Sequence, residues 1–247
     1  NGFSMSLENS AAQNDYSGFK LNRTTEPLTV HFLNIDLKLR GRTFIDNYNL
    51  TDAGKNWQII LENADFGPTE TGNQVQRVIV GGLAHVFLRG KVTMVSNAEN
   101  FYIGQITVEE NAEIYGEANF YNFSTWWFNN AGAQGDVNIG PNASVKLKTL
   151  GGIAFPAIYQ HYTGIYIHKG ASYIAEAEGN AVRFDRTSGV NRKFLYVFED
   201  ASIALSSRQS QPIMEWNTPA DVYSAPGSEF YLIGKSVSNL NTMVRAD

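Results

Sequence analysis

Apolar residues in this chain fall in pairs two positions apart, and each pair leads into the same kind of turn. Five segments align without gaps: ITVEENAEIYG from Ile106, VNIGPNASVKL from Val137, IYIHKGASYIA from Ile165, LYVFEDASIAL from Leu195 and VYSAPGSEFYL from Val222. Each reads apolar-x-apolar, two turn residues, Asn/Gly/Asp, Ala/Ser, x, apolar. The turn residues Asn111, Asn142, Gly170, Asp200 and Gly227 are separated by 31, 28, 30 and 27 positions. Two looser copies lie upstream, WQIILENADFG from Trp57 and VFLRGKVTMVS from Val86.

Pairs such as Ile165/Ile167 and Leu195/Val197 put two side chains on one face of a short strand. Asn, Gly and Asp tolerate a left-handed backbone at a sharp corner, and the small residue that follows (Ala112, Ala143, Ala171, Ala201, Ser228) suits a crowded one. Ile114, Val145, Tyr173, Ile203 and Phe230 then resume the inward face. Apolar clusters at 126–128, 153–158, 181–184 and 213–216 close each coil.

A unit of nearly 30 residues is too long for a hairpin and lacks the 3.6-residue period of helical repeats. It fits three short strands and a longer loop, stacked so that each coil pairs with its neighbours above and below. The pattern predicts one all-β domain, a right-handed parallel β-helix of about seven coils with capped ends. Residues 1–56 are assigned to the N-terminal cap and first strands, 57–234 to the coils and 235–247 to a C-terminal tail. Residues 1–25 read as polar and irregular, and LTVHFLNIDLKLRGRTF from Leu28 as strand. Ser224, in place of an inward apolar residue, marks the closing of the core. A β-sandwich is the competing reading, but its turns recur at nearer 8–12 residues.

Composition narrows the class. Among 247 residues, 43% are hydrophobic and only 17% charged, which excludes a disordered tail. The net charge of -5 and the lack of a Lys/Arg cluster argue against nucleic acid as partner. No apolar run reaches the length of a bilayer span. The absence of cysteine removes disulfides, thiolate metal sites and cysteine nucleophiles. The chain begins at Asn1 without a signal peptide and is expected to be a segment of a longer polypeptide, with targeting signals outside it. Asn-x-Ser/Thr sequons occur at Asn22, Asn49, Asn122 and Asn142, as expected by chance in so Asn-rich a chain.

The units GPNASVKL, HKGASYIA and EDASIALS resemble those of the pectate lyase-like adhesive domains of Gram-positive surface proteins, over most of the span 57–234. The resemblance implies a right-handed parallel β-helix, an extracellular cell-wall-anchored location through regions outside this segment, and attachment to glycans or host matrix. The coils here are longer than the tight repeats of pectate lyases, so the ligand class does not carry over.

Many β-helix proteins cleave polysaccharides, and such chemistry needs converging carboxylates with a cation or a basic residue. Glu109, Glu110 and Glu113 gather round one corner, Glu176 and Glu178 share the outside of one strand, and Asp185 and Arg186 follow Arg183. Each group reads more simply as a solvated face. No motif supports calcium, no cofactor is implied, and none of His31, His85, His161 and His168 forms a metal pair. No serine elbow, Walker loop or dinucleotide fingerprint occurs. A lyase or hydrolase is therefore second to binding, and a structural stalk is third.

The outward position between the inward pairs holds Thr107, Asn138, Tyr166, Tyr196 and Tyr223. Three tyrosines are thus expected in consecutive coils about 4.7–4.9 Å apart, with His168 and Phe198 beside them. Such a ladder offers flat apolar faces and hydroxyls to sugar rings; the simpler alternative is that a loop packs over it. Trp126 and Trp127, adjacent and so pointing to opposite faces, form a second candidate site, and Tyr159 and Tyr162 a third. The expected partner is a glycan or host extracellular-matrix ligand, bound by a domain that is monomeric in isolation.

Overall fold

The computed structural model describes residues 3–7, 27–39, 43–46, 57–67, 77–125, 135–151, 157–160, 164–184, 193–208, 212–216, 220–234 and 243–245. Among them every regular element is a strand and every pairing between strands is parallel. The chain is a β-solenoid.

Each coil contributes to three parallel sheets that run the length of the molecule. In the coil around Asn111, Phe101–Val108 supplies the first sheet with its second half, Glu113–Ala118 the second sheet, and Phe123–Thr125 the third. The inward residues stack in unbroken columns. Ile59, Val86, Ile106, Val137, Ile165, Leu195 and Val222 form the column of the first sheet. Ala64, Val92, Ile114, Val145, Tyr173, Ile203 and Phe230 form that of the second. Ile45, Ile79, Phe101, Phe123, Ile158, Val182 and Met214 form that of the third. Nearly all are fully buried, and each buried aliphatic side chain contributes about 1.5–3 kcal/mol.

The corner between the first and second sheets is the left-handed position anticipated from the repeat. Asn111, Asn142, Gly170, Asp200 and Gly227 all have positive φ, between 55° and 76°, and Asn34, Asn63 and Gly90 upstream have φ of 54°, 49° and 57°. Each later glycine sits above an Asx side chain. A Cβ at Gly170 would lie 2.5 Å from Asn142 Oδ1, and one at Gly227 would collide with Asp200 Oδ1. At Gly170 and Gly227 the missing side chain thus spares a clash as well as easing the positive φ, whereas Asn142 above Asn111 keeps a side chain at the same corner.

About five turns, from the coil of Asn111 onward, have separate short strands on either side of this corner. Upstream, Leu28–Leu39, Trp57–Phe66 and Arg77–Ser96 run through it as single long strands. The expected seven coils meet this change of form at the N-terminal end. Leu28–Leu39 belongs to a coil, with Asn34 as its corner, and Phe3–Leu7 pairs with it, Phe3 opposite Ile35, where an irregular segment was expected.

The core thins out after Ser224, although the first sheet gains one further rung. Met243–Arg245, within the segment assigned to a tail, adds a further rung to the first sheet, with Val244 opposite Val222 and Arg245 opposite Tyr223. In the second sheet the last strand is Glu229–Ile233, exposed along its whole length. Its inward residues Phe230 and Leu232 are 36% and 42% exposed, so the apolar column comes to the surface there.

A second corner, between the second and third sheets, is held by buried asparagines. Asn100 Nδ2 donates to Asn122 Oδ1 (2.7 Å), and Asn122 Nδ2 donates to the Lys148 carbonyl (2.9 Å) and the Thr149 hydroxyl (3.1 Å). Two coils on, Asn180 Nδ2 donates to the Pro212 carbonyl. These amides satisfy backbone groups that the turning chain removes from water.

Candidate functional site

The first sheet carries the tyrosine row on its outer side. Parallel pairing puts Asn138 opposite Tyr166, Tyr166 opposite Tyr196, and Tyr196 opposite Tyr223. The rings stack nearly parallel. Centroids of Tyr166 and Tyr196 are 5.2 Å apart with planes 8° from parallel, and those of Tyr196 and Tyr223 are 4.4 Å and 6°. The hydroxyls of Tyr196 and Tyr223 are hydrogen-bonded. All three rings are half-buried.

Two residues further along the strands, His168 and Phe198 form a second stack, 4.9 Å apart and 6° from parallel. Phe198 also lies 6.1 Å from Tyr196. On the other side Phe194, a residue the sequence reading passed over, approaches Tyr196 at 5.7 Å and Tyr223 at 6.2 Å. Its period-two spacing from Tyr196 was the available signal. The six rings form one aromatic strip over three coils.

The strip departs from expectation in one respect. Rings stacked face to face offer ligands their edges and hydroxyls, because each face between neighbours is already covered. Flat apolar faces are therefore not what this surface presents.

Its electrostatics follow from half-burial beside carboxylates. Desolvation, then Asp136, then Tyr196 push the Tyr166 hydroxyl up to about 12. Desolvation first, then Tyr223 and Asp221, raise Tyr196, and desolvation lowers His168. The Gly164 N–H donates to Asp136 Oδ1 at 2.9 Å. At the N-terminal end of the same sheet, His85 packs against Phe87 with ring centroids 3.9 Å apart and planes tilted by 32°, and is hydrogen-bonded to the Thr107 hydroxyl at 2.8 Å. Burial lowers its pKa to about 4.

The other candidates fare differently. Trp126, Trp127 and Tyr162 lie outside the described residues, as do His161, Asp185 and Arg186. Tyr159 stands in the third sheet, in register with Arg183 and Ser124, and so is not part of the strip. Among the described residues, no group of three or more His, Asp or Glu is placed to hold a metal ion.

The acidic residues considered for catalysis mostly tie coils together. Glu109 pairs with Arg89 (2.7 Å), Glu176 with Lys146 (3.0 Å) and Glu178 with Arg208 (3.1 Å), while Arg183 pairs with Glu215 on the next coil (3.5 Å). Glu110 and Glu113 are simply exposed. A pocket of about 210 Å³ lies on the second sheet, between Lys91, Thr93, Glu113, Tyr115 and Ser144. Beside it the Tyr115 hydroxyl donates to Glu117 (2.8 Å), which also pairs with Lys148 (3.2 Å).

Comparison with family models, curated proteins and solved structures gives no match. The likeness to pectate lyase-like adhesive domains rests on the sequence units alone.

Proposed function

We propose that this chain is a non-catalytic binding domain of a bacterial cell-surface adhesin, which holds a glycan along the outer side of its first sheet. The observation that carries the reading is the strip itself. Tyr166, Tyr196 and Tyr223 remain half-exposed and in register over three coils, with Phe194, His168 and Phe198 on either side. Amphipathic aromatics with ordered hydroxyls are the side chains that bind sugars with little loss of side-chain entropy.

The test is retention of the purified domain on immobilised glycans, with release of reducing or unsaturated ends measured in the same samples. Retention without product, weakened by Tyr196→Ala, is the expected result. Product formation would replace this reading with a lyase or hydrolase.

A second reading has an observation in its favour. Face-to-face stacking between coils also stiffens a solenoid, and a stalk that displays other domains would need no more from the ladder than that. Tyr196→Ala that lowers stability with no effect on retention would favour the stalk.

A further inference from the structure

The strip continues beyond its aromatic part. Phe87, Thr107, Asn138, Tyr166, Tyr196 and Tyr223 follow one another in register on the outer side of the first sheet. Five of the six offer a hydroxyl or an amide, and none carries a charge at neutral pH. With neighbouring strands about 4.8 Å apart, the row is a straight line of hydrogen-bonding groups roughly 24 Å long, parallel to the solenoid axis.

Few charges border this line along its length. Half-buried Asp136 and buried Asp221 flank it on one side, and Glu109, paired with Arg89, stands on the other. Arg245 stands in register with Tyr223 at the C-terminal end of the row, and the cations beside the rest of the row, among the described residues, are engaged or covered. Arg89 is held by Glu109 and Lys169 by Glu199 at 2.9 Å, and Lys193 is fully buried. His85 and His168 are both held toward the neutral form by desolvation. A polyanion lying on the stretch from Thr107 to Tyr196 would meet the half-buried Asp136 with no unengaged cation beside it among the described residues, and like charges brought together oppose binding.

A polycation is disfavoured for a different reason. An ammonium group is attracted to the face of an aromatic ring, and the faces between stacked neighbours are closed to it. The exposed edges carry the positive part of the ring quadrupole, which suits the oxygen atoms of a ligand. Asp136 and Glu109 already have partners in the Gly164 N–H and Arg89.

We infer that the ligand of this strip is an uncharged, hydroxyl-rich polysaccharide lying extended along the solenoid axis, in preference to an acidic or a cationic polymer. This rests on the reading of the strip as a glycan-binding face.

The test is affinity electrophoresis of the whole chain through three polymers: galactomannan (neutral), polygalacturonate (acidic) and chitosan (cationic). Each is run at roughly 0.01 M and 1 M salt, where screening differs most. Retardation by galactomannan, nearly unchanged by salt, is expected. Tyr196→Ala should weaken it about fivefold, the scale of one lost aromatic contact. Tyr196→Phe keeps the stack and removes one hydroxyl, so it should weaken retardation less while melting like the wild type. Tyr196-dependent retardation by polygalacturonate or chitosan instead, lost at high salt, would overturn the inferred ligand class and leave the strip as a binding face. No retardation by any polymer, or retardation indifferent to both variants, would overturn the class and the binding face together.

Discussion

The ring of Tyr166 covers Gly164, two residues before it on the same strand. A Cβ built at Gly164 would lie 2.7–2.9 Å from the ring edge and hydroxyl. The missing side chain is what allows the ring to fold back along the strand and stack on Tyr196. Gly164→Ala should push Tyr166 out of the stack and cost about 1–3 kcal/mol, the usual cost of overpacking. Chemical denaturation and near-ultraviolet circular dichroism check this. An unchanged aromatic signal would show that the ring has another place to go.

Tyr173 stands in the inward column of the second sheet and is almost fully buried. Its hydroxyl has no hydrogen-bond partner among the described residues, and burial pushes its pKa far above the ordinary value. A buried polar group without a partner costs about 1–3 kcal/mol. Tyr173→Phe removes the hydroxyl and keeps the ring, so the denaturation midpoint should rise. A lower midpoint would mean that the hydroxyl is satisfied in solution.

His85 gives the fold an acid-sensitive point. Its pKa falls from 6.5 to about 4 on folding. Above 6.5 the ring is neutral in both states and contributes no pH dependence. Between 6.5 and 4 only the unfolded chain binds the proton, so stability falls as the pH falls, and below 4 the loss levels off. His85→Gln retains a donor for Thr107 without this titration. Its melting temperature should therefore drop less than that of the wild type between neutral pH and about pH 4.5. Parallel drops would place the proton on folded His85.

Asn122 is fully buried and bridges three partners on two adjacent coils. Asn122→Ala would strand the Lys148 carbonyl and leave Asn100 Nδ2 with only its longer bonds to the Met94 and Glu117 carbonyls, and should cost about 1–3 kcal/mol. The same burial makes the Asn122 sequon unusable in the folded state. Equilibrium urea denaturation reads the cost, and a loss under about 0.5 kcal/mol would show that water replaces the amide.

The solenoid was legible because its corner needs a backbone conformation that few residues adopt. Asn111, Asn142, Gly170, Asp200 and Gly227 announced it, while Asn34 went unnoticed inside a long alternating strand. The tyrosine row followed from counting two residues along each strand. What lay beyond reading was the orientation of the rings about χ1 and χ2, which decides whether a ladder shows faces or edges. Asn100 and Asn122 were equally hidden, since an asparagine that satisfies a buried turn looks the same in sequence as one in a loop. Lys193, wholly enclosed, broke the rule that lysine marks an exposed position.

The apolar column that surfaces at Phe230 and Leu232 lies at the same end of the molecule as the aromatic strip. A stack of coils opens most readily from its ends, where a coil has one neighbour instead of two. The coils of Tyr223, Tyr196 and Tyr166 would then be lost in that order, while the sheets around Phe101 and Phe123 remain assembled. A ligand spanning all three tyrosines would act as a clasp on the end that opens first. Occupancy should therefore slow amide exchange in 193–233 and leave the exchange of 84–118 as it was.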